Sequence, residues 1–207
     1  MIITIDGYSA TGKSTIASKL AQEIGFQHLN SGLIYRTISY YLNSNGIFLY
    51  NYMNQIKIIK SLLNDFELTE MKVDITILKS KDIGIFGTKI AQIDFIRDVA
   101  NSIQKDVASK NNTIIDGRDA GTVVFPNADF KFFFVADINI RAERIANERK
   151  ENNIELIKEE LIDRDKEDIY RKIAPLKKPK NAIEIDTSFL SIEEIINNMR
   201  KTLIRNN

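Results

Sequence analysis

The sequence predicts an α/β fold, a parallel sheet covered by helices on both faces. Three observations point there. Short runs rich in β-branched or aromatic residues recur along the chain, as Ile2-Ile3-Thr4-Ile5, Thr113-Ile-Ile115, Phe132-Phe-Phe-Val135 and Ile183-Glu-Ile185. Most are continuous rather than alternating, as expected of strands buried on both faces. Helical stripes of apolar residues lie between them, the order that crossover units impose. With 207 residues, 43% of them hydrophobic, the chain can bury one sizeable core and carry a smaller appendage.

In chain order, the first run leads into a glycine-rich turn. A helix follows whose face is Ile16, Ala17, Leu20, Ala21 and Ile24, with Gly25 placed to end it. His28, in Phe-Gln-His-Leu, falls on a short strand and is read as structural. Residues 48–110 then interrupt the alternation. Within them Val73-Asp-Ile-Thr-Ile77 has period two and is expected as a half-exposed strand, while Ile90, Ile93, Val99 and Ile103 fit a helix loosely. Tyr40, Tyr41, Tyr50 and Tyr52 are expected to pack this insert against the core. Residues 147–180 are dense in charge and poor in large apolar groups, which suits a mobile, solvated lid. After the strand at 183–185, Ser191 with Glu194 makes a capping box for a helix whose face is Ile192, Ile195, Ile196, Met199 and Leu203. The expected organisation is a single domain with a core at about 1–45, 110–146 and 181–207, an insert at about 46–109 and a lid at about 147–180.

Composition excludes several function classes. Lys and Arg number 29 against 28 Asp and Glu, a formal net charge of +1, so the basic excess that tracks a nucleic-acid backbone is missing. Zero Cys excludes disulfides, thiolate zinc sites and a cysteine nucleophile, and a single His leaves little for a His-rich metal site. No stretch approaches the roughly 20 apolar residues of a membrane span, and the first residues do not read as a signal peptide. A soluble cytoplasmic protein is expected. With no heptad and no long apolar edge, so is a monomer.

The strongest motif is Gly7-Tyr8-Ser9-Ala10-Thr11-Gly12-Lys13-Ser14-Thr15, which matches G-x-x-x-x-G-K-[ST] between a strand and a helix. Its glycines let successive N–H groups converge on phosphate oxygens, and the helix N-terminus adds partial positive charge. Lys13 can reach the β- and γ-phosphates. The Ser14 hydroxyl is a ligand for Mg²⁺, which prefers oxygen. These nine residues therefore predict ATP binding. Asp6 and Asp116 each close a strand, where they can orient Mg²⁺-bound waters or cap a turn. The run Lys177-Lys-Pro-Lys180 is read as solvated charge.

The chain favours Lys over Arg, so arginines in recognisable contexts stand out, because a guanidinium recognises phosphate bidentately. Arg36, Arg97, Arg118, Arg144, Arg164 and Arg171 are such positions. Four of them stand in Asn30-Ser31-Gly32-Leu-Ile-Tyr35-Arg36, Asp116-Gly-Arg-Asp119-Ala-Gly-Thr-Val-Val-Phe-Pro126 and Arg164-Asp-Lys-Glu-Asp168-Ile-Tyr-Arg171, the last followed by Ala174-Pro-Leu176. Together with the phosphate loop, these segments resemble, in order and spacing, the signatures of the bacterial cytidylate kinases over nearly the whole chain.

That resemblance implies a P-loop nucleoside monophosphate kinase with an acceptor-binding insert and a mobile lid, moving the γ-phosphoryl group of ATP to CMP or dCMP in pyrimidine metabolism. By the same resemblance, Ser31, Arg36, Arg118 and Arg171 clamp the acceptor phosphate, Arg164 and Asp168 meet the ribose, and Thr88, Arg97 and Asp119 read cytosine. Arg144 lies near the transferred phosphoryl, with Lys13 and Arg171 the other catalytic groups. The chemistry of Asp119 agrees, since a carboxylate accepts from the cytosine N4 amino group and repels the uracil oxygen; standing alone it would read as a turn cap. The chain departs from the family at Tyr8, where proline is usual, at Asn30, where aspartate is common, and at Thr88, where serine is usual. A kinase for UMP, AMP or a small metabolite is the alternative. The guanine-reading tetrapeptide Asn-Lys-x-Asp of switch GTPases is absent.

Overall fold

The computed structural model describes residues 1–64, 66 and 73–205. They form two compact units, one of Met1–Leu29 with Ala108–Asn207 and one of Asn30–Val107. The first unit is built on a five-stranded sheet in the order β2-β3-β1-β4-β5, with β1 Ile2–Gly7, β2 Gln27–Asn30, β3 Thr113–Gly117, β4 Phe130–Val135 and β5 Ile183–Asp186. β1 lies at the centre, parallel to β3 in the register Ile5↔Asp116 and to β4 in the register Ile5↔Phe132; β4 and β5 are also parallel. All four strands anticipated from apolar runs are present, and the parallel α/β class is as expected.

One sheet face carries Ile3, Ile5, Ile114, Phe132, Phe134 and Ile185. Against it pack Ile16, Ala17, Leu20 and Ala21 of α1, Lys13–Ile24, and Ile195, Ile196, Met199 and Leu203 of α9, Ile192–Arg205. Gly25 closes α1 in the left-handed conformation, φ 71°. The Ser191–Glu194 capping box forms reciprocally: the Glu194 carboxylate accepts from the Ser191 amide at 2.8 Å, and Ser191 Oγ accepts from the Glu194 amide at 3.2 Å. On the other face Ile115 packs with Ala120 and Val124 of a π-helical turn, Ala120–Val124, and with Phe125, which caps it.

The charge-dense stretch contains one whole helix and the end of another. α7, Ile138–Arg149, and α8, Ile154–Tyr170, pack through Ala142, Ala146, Ile157 and Leu161, with Ala10 of the phosphate loop against the same cluster. Ile138 and Ile145 add to this contact, and Arg149 pairs with Glu160 at 3.0 Å across the two helices.

In the second unit, α2 is Ser31–Ser44, α3 Ile56–Asn64, α4 Ile75–Leu78, α5 Lys81–Ile90 and α6 Asp94–Lys110, the last running on past the unit's end at Val107. The half-exposed strand expected at 73–77 is instead the start of α4. Asp74 caps it, accepting from the Thr76 amide at 2.8 Å, and Ile75 and Ile77 both stay exposed. A capping side chain outweighs five residues of alternation that bury nothing. The loosely periodic isoleucines divide between α5 and α6, and the buried face of α6 is Ile96, Arg97, Ala100 and Gln104. Tyr41 packs on Phe66 and Tyr52 on Phe86. Tyr50 does not pack as expected: it is 83% exposed, stacked on Phe48.

Among the described residues no helix is long and apolar enough to cross a membrane. The tightest steric demand is at Gly7, φ 145°, where a β-carbon would collide with the Phe134 carbonyl oxygen and stand 2.8 Å from its nitrogen. Gly12, φ 85°, has nothing within 4 Å. Urea unfolding of Gly7→Ala is therefore expected to show a loss of about 3 kcal/mol or more, strain and overlap combined, against about 1 kcal/mol for Gly12→Ala. Equal losses would contradict this packing.

Candidate active site

β1 ends where the chain must turn sharply, and the turn is the phosphate loop. Ala10 at φ 58° and Gly12 at φ 85° curl it, and Gly12 is the residue from which α1 starts. A non-glycine residue held left-handed is a mark of a loop shaped for something other than stability. Lys13 is buried beneath the loop, donating to the Tyr8 carbonyl and, at 3.3 Å, to Thr11 Oγ1. Burial, with Arg118 adding like charge, holds its ammonium pKa well below the ordinary lysine value.

Ser9 is the junction of this site. Its hydroxyl accepts from Arg118 Nη2 at 2.7 Å. Its amide donates to Asp165 Oδ1 at 3.4 Å, and its carbonyl accepts from Arg141 Nη1 at 3.3 Å. Arg141 and Asp165 are themselves paired at 2.5 Å, both nearly buried, and the Arg141 guanidinium lies 5.4 Å from the Tyr8 ring centroid. Tyr8, where proline is usual in the resembled family, thus covers this ion pair. Arg141 escaped sequence reasoning because one arginine on a helix reads as solvated, although an arginine three residues before Arg144 was a signal to weigh.

Around this junction Arg118 and Arg171 are paired with carboxylates. Arg118 Nε meets Asp168 Oδ2 at 2.7 Å. Arg171 lies 3.1 Å from Asp119 and 3.6 Å from Asp168, and its Nε donates to the Ala174 carbonyl at 2.6 Å. The Leu176 amide donates to the Asp168 carbonyl at 2.7 Å, so the spacing of Asp168, Arg171 and Ala174-Pro-Leu176 follows from one local hydrogen-bonded turn. Burial would raise the Asp168 pKa, but Arg118 and then Arg171 outweigh it and hold the carboxyl below its usual value. Arg144 reaches the Ala10 carbonyl at 3.4 Å and Thr187 Oγ1 at 3.2 Å, tying the phosphate loop to the end of β5. Arg164 is half-buried on α8 near Lys13 and Asp168.

The structure thus brings together, in the first unit, the phosphate loop with Arg118, Asp119, Arg144, Arg164, Asp168 and Arg171. The other predicted residues belong to the second unit. There Ser31 opens α2, for which Asn30 is the cap, its Oδ1 accepting from the Leu33 amide at 2.9 Å. That accounts for Asn30, a good capping residue. Arg36 donates to the Leu78 and Ser80 carbonyls at 2.5 and 3.2 Å; Arg97 is buried on α6, donating to Ala91 at 3.1 Å and lying 5.8 Å from the Tyr35 ring centroid. Thr88 returns its hydroxyl to the Gly84 carbonyl at 3.1 Å.

Ser14 is exposed, and its Oγ donates to Asp116 Oδ2 at 2.6 Å. With its O–H aimed at the carboxylate, the hydroxyl oxygen presents acceptor character to a hard cation. Among the described residues no group of three or more His, Asp or Glu could hold a metal unaided. The donor set fits Mg²⁺, which keeps several waters and arrives with phosphates. Asp6 is spent differently: it accepts from the Ala120 and Gly121 amides at 2.9 and 2.7 Å, anchoring the 117–124 segment.

The cytidylate kinase family model matches residues 3–205. Proteins named cytidylate kinase that resemble the chain include those of Fusobacterium nucleatum subsp. nucleatum, 39% identical with 98% of this chain and 97% of that one covered, and Thermotoga maritima, 36% identical with 96% and 94% covered. That of Protochlamydia amoebophila is 37% identical, covering 95% and 93%. Among solved structures, shikimate kinase from Bacteroides thetaiotaomicron shares the fold at TM-score 0.51 and 10% identity, covering 98% of both chains. A gluconokinase from Sinorhizobium meliloti does so at 0.50 and 13%, covering 98% of this chain and 91% of its own.

Burial pushes Asp6 up to about 6, against its amide partners, which lower it. Between about pH 4 and 6 the folded chain keeps a proton that the unfolded chain has released, so this group's contribution to stability falls as pH rises through that window. Urea unfolding of wild type and Asp6→Asn at pH 4 and 7 should show the difference between them moving by about 3 kcal/mol in the variant's favour at pH 7. A difference that stays constant with pH would contradict the assignment.

Proposed function

The chain belongs to the cytidylate kinase family, and we propose that it transfers the γ-phosphoryl group of ATP to CMP or dCMP, giving ADP and CDP or dCDP. One observation carries the mechanistic reading: Arg118, on the Asp116-Gly-Arg-Asp119 turn, hydrogen-bonds Ser9 of the phosphate loop at 2.7 Å. Two anion-binding sets, one of looped amides with an ammonium and one of guanidiniums, therefore abut within one unit.

Phosphoryl transfer asks for in-line placement and charge neutralisation. The loop amides and Lys13 take the donor's β- and γ-phosphates. Arg118 and Arg171 take the acceptor phosphate, exchanging their carboxylate partners for it, and Arg144 faces the transferred group. Ser14, with Asp116 behind it, is the residue that would hold Mg²⁺; the ion supplies further neutralisation of the phosphate charge. No general base is needed, because the attacking oxygen is already an ionised phosphate oxygen. Asp119 now accepts from a guanidinium N–H, and the cytosine N4 amino group is a donor of the same kind. Arg164 and Asp168 are assigned to the ribose. Ser31 and Arg36 are assigned to the acceptor phosphate on the support of their motif, and Thr88 and Arg97 to cytosine on the support of their spacing from Gln104. Residues 147–180 act as a lid that keeps water from the phosphoryl group. The enzyme acts as a cytoplasmic monomer.

Incubation of each of the four ribonucleoside monophosphates with ATP and Mg²⁺ should give CDP well ahead of the other diphosphates, and Lys13→Ala should give none. Arg171→Ala should lower kcat and weaken CMP binding, each by about tenfold or more. AMP or GMP turned over as fast as CMP, or an Arg171→Ala enzyme with wild-type kinetics, would contradict the reading.

A further inference from the structure

His28 has no part in the chemistry above, yet it is built into the phosphate site. It stands on β2, and its Nε2 lies 2.6 Å from Asp116 Oδ1. The other oxygen of that carboxylate accepts from Ser14 Oγ at 2.6 Å. An imidazole from β2, a carboxylate from β3 and a hydroxyl from α1 therefore form one chain. A carboxylate only accepts, so Nε2 carries a proton toward it and Ser14 donates its O–H to it. The Asp116 side chain is 4% exposed and that of His28 21%, which leaves water little room to replace the imidazole.

We infer that His28 is a positioning residue: it fixes the rotation of the Asp116 carboxylate and so keeps the Ser14 oxygen turned to receive Mg²⁺ with the nucleotide. A partner that orients a ligand-holding group is worth about tenfold in metal affinity when removed. Replacing the imidazole by an apolar ring removes one of the bonds that orient the carboxylate, and the acceptor of Ser14 is then held less firmly. The inference rests on the phosphate-loop reading of Ser14.

His28 is the single histidine of the chain, so its imidazole can be followed alone. Two measurements test the assignment. The Mg²⁺ concentration for half-maximal rate should rise about tenfold in His28→Phe with KM for CMP unchanged, and His28→Gln, whose amide N–H can stand in for Nε2–H, should restore most of it. In wild type labelled at histidine with ¹⁵N and saturated with ADP, adding Mg²⁺ should shift the His28 ring resonances. Should His28→Phe not fold, His28→Asn, whose amide falls short of Asp116, replaces it. Wild-type Mg²⁺ dependence in His28→Phe, failure of His28→Gln to rescue, or ring resonances indifferent to Mg²⁺ would each overturn the inference. Ser14→Ala separates the two levels. If it also leaves Mg²⁺ dependence unchanged, the phosphate-loop reading falls and His28 with it; if it alone shifts, only the role of His28 falls.

Discussion

Arginines gathered to receive phosphate and buried before any phosphate arrives must be paired, and in this protein carboxylates pair Arg118, Arg141 and Arg171. Lys13, Arg141 and the side chain of Arg171 are buried and Arg118 nearly so, with Asp165, Asp168, Asp119 and Asp116 set among them. A buried guanidinium without a partner would cost several kcal/mol, so the acids are as necessary to the empty site as the bases are to the filled one. The same constraint explains a near-neutral chain that binds highly charged substrates: positive charge is concentrated locally and balanced locally.

Two of those acids, Asp165 and Asp168, stand one turn apart on α8 and so share a face. Asp165 holds the phosphate-loop peptide through Ser9, and Asp168 holds Arg118. A phosphate that draws Arg118 away from Asp168 changes what anchors α8. The helix pair and the loop beneath it are thereby linked by charge as well as by the packing of Ala10 against the Ala142–Ile157 cluster.

Legibility from sequence followed the range of the interaction. The capping box, the Gly25 stop, the apolar strands and the phosphate loop are written in neighbouring residues, and each stands as expected. The turn that spaces Asp168, Arg171 and Leu176 is equally local. The segment at 73–77 misled because alternation without burial carries no energy, whereas the Asp74 cap does. His28 and Arg141 were harder to read for a different reason: their partners, Asp116 and Asp165 or Ser9, lie far away in sequence, and the only local hint was the Arg141–Arg144 spacing on one helix.

The most direct test of the exchange of carboxylate for phosphate is calorimetric titration of CMP into wild type and Arg118→Met, which keeps the side chain's bulk and removes its charge. A weakening of CMP binding by about tenfold or more is expected, the worth of a charge-assisted contact. Equal affinity in the two proteins would mean that Arg118 serves only to anchor Asp168 and Ser9, and that the acceptor phosphate binds elsewhere.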